Sequence, residues 1–195
     1  MMNSFEAEFD KIDSKAAFRR MLRGREKMSP RAREAADRVI TARVLKSAEY
    51  KAAKTIFIYV STASEPDTLP VIRDALKNGK QVCVPRCLKG HQMEAVRITG
   101  LSDLQPGAYG IPEPPAGCAA VPPERIDLAV IPCVAASEKG ERLGHGAGYY
   151  DRYLPGVKAC KMCLCFSWLL FSKIPADPHD IPMDIVVTDD GKEAR

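Results

Sequence analysis

The feature that most constrains the fold is an alternation of apolar strands and helices that begins in the second quarter of the chain. The run TIFIYV at 55–60 is rich in β-branched and aromatic residues, which is typical of a strand buried on both faces. Helical sequence follows at 68–78 and ends at Gly79, a common C-terminal cap. The next strand is predicted at 81–84, closed by Pro85. A strand, a helix and a strand in this order predict a βαβ unit with parallel strands and a right-handed crossover.

The alternation continues to the end of the chain. The segment 101–124 interrupts it, and because that segment is rich in proline and glycine we expect a long surface loop there. Apolar runs predict further strands at 93–98, 127–134, 162–166 and 185–187. The chain shows no linker, internal repeat or low-complexity tract. Residues 1–195 are therefore expected to form one α/β domain, a mostly parallel sheet flanked by helices.

Two helices are predicted before the first strand, and we expect them to form an N-terminal helical pair. The first covers 15–27, where Phe18 and Leu22 share an apolar face. The second begins at Ser29, a good N-cap that is followed by proline, and runs to about residue 47 or 48. Its spacing predicts four buried side chains: Ala36, Val39, Ile40 and Val44.

A glycine-rich segment, GERLGHGAGYYDRYL, spans 140–154 and follows the strand at 127–134 directly. Its alternating glycines would let consecutive N–H groups converge on an anion. The YYDR sequence after them can open a helix whose amino end favours a phosphate, and Asp151 is a hard oxygen ligand of the kind Mg²⁺ prefers. The segment has neither the Lys-Ser or Lys-Thr end of a P-loop nor the GxGxxG spacing of a dinucleotide fingerprint. A plain flexible loop is the alternative.

The position of this segment in the predicted sheet favours a binding site. Ligands of open α/β sheets lie beyond the carboxyl ends of the strands. The loop 61–67 follows one predicted strand and the glycine segment follows another. The two loops could therefore form one site.

Charge and cysteine content narrow the class of protein. The net charge is +4, but residues 11–54 alone carry fourteen Lys or Arg against five Asp or Glu. This indicates either an anionic ligand or nucleic acid near the N-terminal third, or two solvated helix faces. Of the seven cysteines, Cys160 and Cys163 have CxxC spacing, but no second pair and no histidine at ligand spacing completes a zinc site, so we expect reduced, structural thiols. No apolar run reaches the ~20 residues that span a bilayer, and the charged N-terminus lacks the apolar core of a secretion signal. We therefore expect a cytoplasmic protein.

Five motifs in order resemble the 5-formyltetrahydrofolate cyclo-ligase family and extend over nearly the whole chain. They are KAAFR at 15–19, YVSTASEPDT at 59–68, YGIPEP at 109–114, the glycine segment at 140–154 and HDIPMDIVVT at 179–188. The resemblance implies a Rossmann-like sheet related to sugar-phosphate isomerases and CoA transferases. It also implies a ligase of folate-dependent one-carbon metabolism that uses ATP and Mg²⁺. Such an enzyme converts 5-formyltetrahydrofolate to 5,10-methenyltetrahydrofolate and releases ADP and phosphate.

The resemblance also implies roles for particular residues. Lys15 and Arg142 would act in catalysis, and Asp151 and Asp184 would bind Mg²⁺. The ATP-binding residues would be Lys15, Ala16, Ala17, Phe18, Arg19, Arg142, Leu143, Gly144, His145, Gly146, Ala147, Gly148, Tyr149 and Tyr150. The substrate-binding residues would be Val60, Glu65, Tyr109, Gly144, His145, Gly146, Ala147 and Gly148.

Side-chain chemistry agrees with the folate assignments, because a pterin needs an aromatic or apolar wall and a carboxylate for its amino-pyrimidine edge. Without the resemblance, Glu65 could equally be a solvated loop carboxylate and Tyr109 a half-buried loop anchor. His145 is a candidate proton carrier or a structural loop residue. No cysteine or histidine nucleophile is required.

We expect small-molecule partners only, with no nucleic acid or membrane partner, and a monomer. Two alternatives remain at this point. One is an ATP-binding homologue that acts on another substrate, and the other is a nucleic-acid-binding module that uses the basic N-terminal third.

Overall fold

The computed structural model describes residues 12–23, 28–191 and 193–194. The described α-helices are α1 (Lys15–Arg23), α2 (Pro30–Lys46), α3 (Ala48–Ala52), α4 (Leu69–Lys77) and α5 (Tyr149–Tyr153). The strands, in chain order, are β1 (Thr55–Ile58), β2 (Gln81–Leu88), β3 (Gln92–Ile98), β4 (Gln105–Pro106), β5 (Pro112–Glu113), β6 (Ala120–Val121), β7 (Leu128–Pro132), β8 (Ala135–Ser137), β9 (Arg142–Leu143), β10 (Cys160–Leu164), β11 (Leu170–Phe171), β12 (Ile185–Val187) and β13 (Glu193–Ala194).

Eight strands form the central sheet in the order β13-β12-β10-β7-β1-β2-β3-β6. The five strands from β12 to β2 are parallel neighbours, and the outer strands β13, β3 and β6 are antiparallel. The predicted βαβ unit is confirmed as β1, α4 and β2, with Thr55 opposite Gln81. The prediction of a mostly parallel sheet flanked by helices is therefore confirmed.

The core lies on the central strands. Every residue of β1 and of β7 is buried, as expected for parallel strands covered on both faces. All seven cysteines are free, and four of them are buried: Cys83, Cys133, Cys163 and Cys165. No helix within the described residues is long and apolar enough to cross a membrane.

The N-terminal helices agree with the sequence in part. Ser29 caps α2 by accepting a hydrogen bond from the Ala32 N–H at 3.3 Å. The helix buries Ala36, Ile40 and Val44, which recur at intervals of four residues, whereas Val39 lies beside this stripe and is 41% exposed. The predicted burial of Val39 is therefore wrong. In the first helix, α1 ends at Arg23, and the predicted remainder at 24–27 lies outside the described residues.

Two strand predictions also need correction. The strand β2 does not stop at Pro85 but continues to Leu88 in an antiparallel pair with β3. Pro85 is tolerated because β1 pairs with β2 only up to Cys83, so its missing N–H breaks no hydrogen bond with β1. The strand at 127–134 does not lead directly into the glycine segment, because β8 lies between them and pairs with β9, which is the first part of that segment. The segment 101–124, predicted as a loop, contains the short strands β4, β5 and β6.

Candidate active site

The loop after β1 and the glycine segment meet, as their positions in the predicted sheet indicated. The Nε2 atom of His145 lies 3.2 Å from Oε1 of Glu65. His145 is one of the residues between the alternating glycines, and Glu65 lies in the loop that follows the end of β1. One site can therefore contact both loops.

Glu65 is a buried carboxylate and not a solvated one, since the residue is only 5% exposed. Its Oε2 accepts hydrogen bonds from the N–H and the hydroxyl of Thr62, both at 2.8 Å. Burial alone would raise the pKa of Glu65, but the hydrogen bonds from His145 and Thr62 outweigh burial and hold that pKa below its ordinary value. The site thus keeps a charged acceptor at the end of β1.

Helix α1 packs against the glycine segment through Arg19. The Nε of Arg19 donates a hydrogen bond to the carbonyl of Gly144 at 2.6 Å. A Cβ at Gly146 would lie 3.4 Å from the Arg19 guanidinium, and the φ of Gly146 is +104°, in the region that favours glycine. Arg19 therefore lies against the glycine segment, and Lys15 precedes it by one turn on the same helix.

Lys15 pairs with two carboxylates that sequence reasoning missed. Its ammonium lies 2.9 Å from Asp177 and also contacts both carboxylate oxygens of Asp180. Burial would lower the pKa of Lys15, but the hydrogen bonds and charges of these carboxylates outweigh it, and the pKa is raised. Asp180 belongs to the HDIPMDIVVT motif at 179–188 and could have been found from it. The motif was instead used to predict Asp184 as a metal ligand. Asp177 and Asp180 also form, with His179, a group that could hold a metal ion.

Arg142 and Asp151 form a partly buried pair. Arg142 is 7% exposed, and its Nη2 lies 2.6 Å from Oδ1 of Asp151. Its Nη1 donates to the carbonyl of Pro132 at 3.3 Å, and the guanidinium lies 5.5 Å from the centre of the Tyr150 ring. Arg142 and Asp151 therefore lie near the carboxyl end of β7.

The two predicted metal ligands are not brought together. Asp184 directly precedes β12 and accepts the N–H of Lys161 at 2.7 Å, with the Lys161 ammonium 2.9 Å away. Lys161 pairs with Ala129, at the amino-terminal end of β7. Asp184 thus lies at the amino edge of the parallel sheet, whereas Asp151 lies with Arg142 near the carboxyl edge.

Tyr109 is an exposed aromatic side chain and not a half-buried anchor. The residue is 71% exposed and has a φ of +58°, which is uncommon for a tyrosine. Its hydroxyl lies 3.2 Å from that of Tyr149, and the two rings meet edge to face with centroids 6.1 Å apart. His91, which also has a positive φ, packs against the ring of Tyr149, with the two ring centroids 5.4 Å apart. Tyr109 therefore packs against Tyr149 of the glycine segment, and the two rings offer an aromatic surface there.

The remaining predicted site residues divide into core and loop positions. Phe18 is fully buried and packs edge-on against Phe171, so its side chain belongs to the core. Val60 and Leu143 are also buried. Gly148 has a φ of +74° and precedes α5, while the carbonyl of Ala147 accepts a hydrogen bond from Arg152 at 3.0 Å. Among the predicted ATP-binding residues, Lys15, Arg19 and 144–148 are not buried in the core and can contact a ligand.

The fold and the site define an α/β protein in which the glycine segment, a cation of α1 and a buried carboxylate meet beyond the carboxyl end of a strand of a parallel sheet. Residues 11–189 match the family model described as the 5-formyltetrahydrofolate cyclo-ligase family. A mouse protein named 5-formyltetrahydrofolate cyclo-ligase is 32% identical over 190 residues, which cover 88% of this chain and 94% of the relative. The protein of the same name from Escherichia coli K12 is 33% identical over 145 residues, covering 70% and 78%.

Solved structures are also similar to this chain. The 5,10-methenyltetrahydrofolate synthetase of Aquifex aeolicus is 32% identical, superposes with a TM-score of 0.82, and covers 93% of this chain and 92% of its own. The chain therefore belongs to the 5-formyltetrahydrofolate cyclo-ligase family. Its match to the synthetase of Mycoplasma pneumoniae, at 23% identity and a TM-score of 0.73, supports the fold alone.

Proposed function

We propose that this chain converts 5-formyltetrahydrofolate to 5,10-methenyltetrahydrofolate at the expense of ATP, which becomes ADP and phosphate. Family membership supports the reaction, and one observation in the structure supports where on the protein it takes place. The glycine segment contacts α1 through Arg19 and the loop after β1 through Glu65. A nucleotide on one side of that segment and a folate on the other would lie next to each other.

The nucleotide side is the cationic one. The guanidinium groups of Arg142 and Arg19 lie beside Gly144 and Gly146, and Lys15 lies one turn before Arg19 on α1. Residues 144–148 supply backbone N–H groups in a glycine-rich stretch. Phosphoryl transfer depends on positioning and on neutralising charge rather than on a protein nucleophile. We therefore propose that these residues hold the triphosphate, with Lys15 and Arg142 as the catalytic cations.

Asp151 fits the role of a magnesium ligand, because Mg²⁺ is commonly held by one or two carboxylates together with substrate phosphates. Its carboxylate is 31% exposed and lies beside Arg142, so it faces the proposed phosphate site. When bound, Mg²⁺ would neutralise phosphate oxygens. We do not assign this role to Asp184, which lies beside Lys161 at the other edge of the sheet.

The folate side is formed by Glu65 and the exposed tyrosine. The carboxylate of Glu65 would accept the amino-pyrimidine edge of the pterin, and Tyr109 would provide an aromatic face. Val60 and the glycine segment would complete the contact surface. His145 would have to share Glu65 with the pterin, because it already contacts Oε1.

The chemistry then needs two steps. The formyl oxygen on N5 attacks the γ-phosphorus of ATP, and ADP leaves. N10 adds to the activated carbon and loses its proton, and phosphate departs with the former formyl oxygen to leave the methenyl bridge. The cations lower the charge repulsion of the first step, and the shared loop keeps the two substrates in contact.

The finer properties belong to the same proposal. They are a fold related to sugar-phosphate isomerases and CoA transferases, a packed pair of N-terminal helices, a monomeric state and a cytoplasmic location.

The experiment is a spectroscopic assay of the purified protein for the methenyl chromophore. Product should form only when 5-formyltetrahydrofolate, ATP and a divalent cation are all present. Turnover without nucleotide, or ATP binding with no product from this folate, would contradict the proposal, and the second result would favour a homologue with another substrate.

A pair of variants separates this function from nucleic-acid binding. Lys15→Ala with Arg19→Ala should reduce kcat/KM for ATP by about a hundredfold, since two charged contacts are lost. Arg31→Ala with Arg38→Ala, on the exposed face of α2, should leave it unchanged. Equal losses in both variants, or tight RNA binding by the parent that resists salt, would contradict our interpretation.

A further inference from the structure

Helix α2 holds the loop that carries Glu65, through Arg33. The guanidinium of Arg33 donates hydrogen bonds to two backbone carbonyls of that loop, from Ala63 and from Glu65 itself. Its side chain is 28% exposed. The planar fork of a guanidinium holds both carbonyls in one fixed geometry, whereas the donors of a lysine ammonium rotate freely. Arg33 thus departs from the interpretation of the α2 arginines as a solvated face.

Asp37, one turn further along α2, completes the contact. Its carboxylate accepts the N–H of Asp67 at 3.0 Å and lies 3.4 Å from Nε of Arg33. Burial raises the pKa of Asp37 although the Asp67 N–H and Arg33 act in the opposite direction. Two adjacent side chains of one helix therefore bind the loop at three backbone points, on both sides of Glu65.

The backbone contacts bear directly on the direction of the Glu65 side chain. Its carboxylate is aimed at His145 by a short local turn, in which the Glu65 N–H bonds to the Thr62 carbonyl at 3.3 Å and Thr62 binds Oε2. Arg33 anchors the carbonyls within and beside this turn. Removing the anchor would let the turn shift while leaving the sheet beneath it in place.

We infer that Arg33 is a positioning residue for folate binding, which acts through Glu65 and is itself oriented by Asp37. This inference rests on the proposed function, because it requires Glu65 to contact the folate. Arg33 does not touch the glycine segment in the described contacts, so its effect should fall on one substrate and not on the other.

The test is steady-state kinetics of Arg33→Gln. The KM for 5-formyltetrahydrofolate should rise about tenfold, the effect of losing one charge-assisted contact, while KM for ATP and kcat stay within about twofold. Arg33→Lys keeps the charge but not the fork and should recover only part of the loss. The matched control is Arg38→Gln on the same helix, since Arg38 pairs only with the exposed Glu34 at 3.0 Å among its described contacts.

A double variant shows whether Arg33 acts through Glu65. If it does, Arg33→Gln combined with Glu65→Gln should have the folate KM of Glu65→Gln alone, because coupled residues are not additive. Additive effects would overturn the inference, as they would mean that Arg33 acts independently of Glu65.

Two other results would also overturn it. One is an unchanged folate KM in Arg33→Gln when Glu65→Gln raises it. The other is a parallel rise in both KM values with a lower melting temperature, which indicates a general structural contact. If Glu65→Gln itself leaves the folate KM unchanged, the proposed role of Glu65 has failed and the inference falls with it. Turnover by the parent protein remains the separate test of the overall function.

Discussion

Arg142 is a cation with little access to water, and its guanidinium contacts the carboxylate of Asp151. Replacing one partner of a partly buried ion pair leaves the other charge without compensation, which destabilises the folded state. We expect Asp151→Asn to lower the free energy of unfolding by about 1–3 kcal/mol, in addition to its loss of activity. Denaturant unfolding measures the change.

Asp184→Asn is the matched control for that prediction. Asp184 is half exposed and pairs with Lys161, and exposed pairs contribute less than about 1 kcal/mol. A larger loss of stability in Asp184→Asn than in Asp151→Asn would contradict the assignment of the buried pair. Activity close to that of the parent in Asp184→Asn would support Asp151 as the metal ligand.

Glu65 gives the protein a pH-dependent contribution to stability. Because its pKa in the folded protein lies below the unfolded value of about 4.3, the contribution is fully present above that unfolded value. It is lost as the pH falls through the lower, folded pKa. The stability difference between the parent and Glu65→Gln should therefore shrink as the pH falls below about 4. Unfolding curves from neutral to acidic pH test this, and a constant difference would contradict it.

Residues 144–148 of the glycine segment combine a positive φ at Gly146 with a close approach of α1. Gly146→Val places a β-branched side chain at a φ of +104° and 3.4 Å from the Arg19 guanidinium. We expect ATP binding to be lost, as measured by calorimetry, because both the loop path and the approach of a phosphate are obstructed.

Gly79→Val separates the two causes. Gly79 has a φ of +73°, but no atom lies within 4 Å of a Cβ placed there. This variant should have a similar cost in backbone strain, about 1–2 kcal/mol, and unchanged ATP affinity. If Gly146→Val kept the parent affinity, the segment would not be the phosphate site.

Across the whole chain, the features that depend on neighbouring residues could be predicted from the sequence. The start of α2 at Ser29 and the βαβ unit after Thr55 are set by capping residues and by apolar periodicity. The burial of β1 follows from its composition. The burial of Val39 was wrongly predicted because the spacing of four apolar residues fits one stripe of the helix. Spacing alone does not tell which of the four lies outside that stripe.

The contacts between distant segments could not be predicted in this way. Lys15 and Asp180 are 165 positions apart, and Arg33 and Glu65 are 32 positions apart. Only the fold brings each pair together. The family motif containing Asp184 gave its place in the sequence but not the edge of the sheet at which it lies. That edge is set by the direction of β12 beside β10. The site could therefore be located from the glycine segment, while its ion pairs could not.

The proposed reaction transfers the formyl oxygen of the folate to phosphate, so isotope labelling of that oxygen tests it directly. The substrate is 5-formyltetrahydrofolate labelled with oxygen-18 in its formyl group, turned over by the purified protein with Mg²⁺ and ATP. If the formyl oxygen attacks the γ-phosphate, the label should appear in the released inorganic phosphate, with one ADP formed for each methenyl product. Mass spectrometry of the phosphate reads the result. Label in water with unlabelled phosphate, or methenyl product without ADP, would contradict phosphorylation of the formyl oxygen at this site.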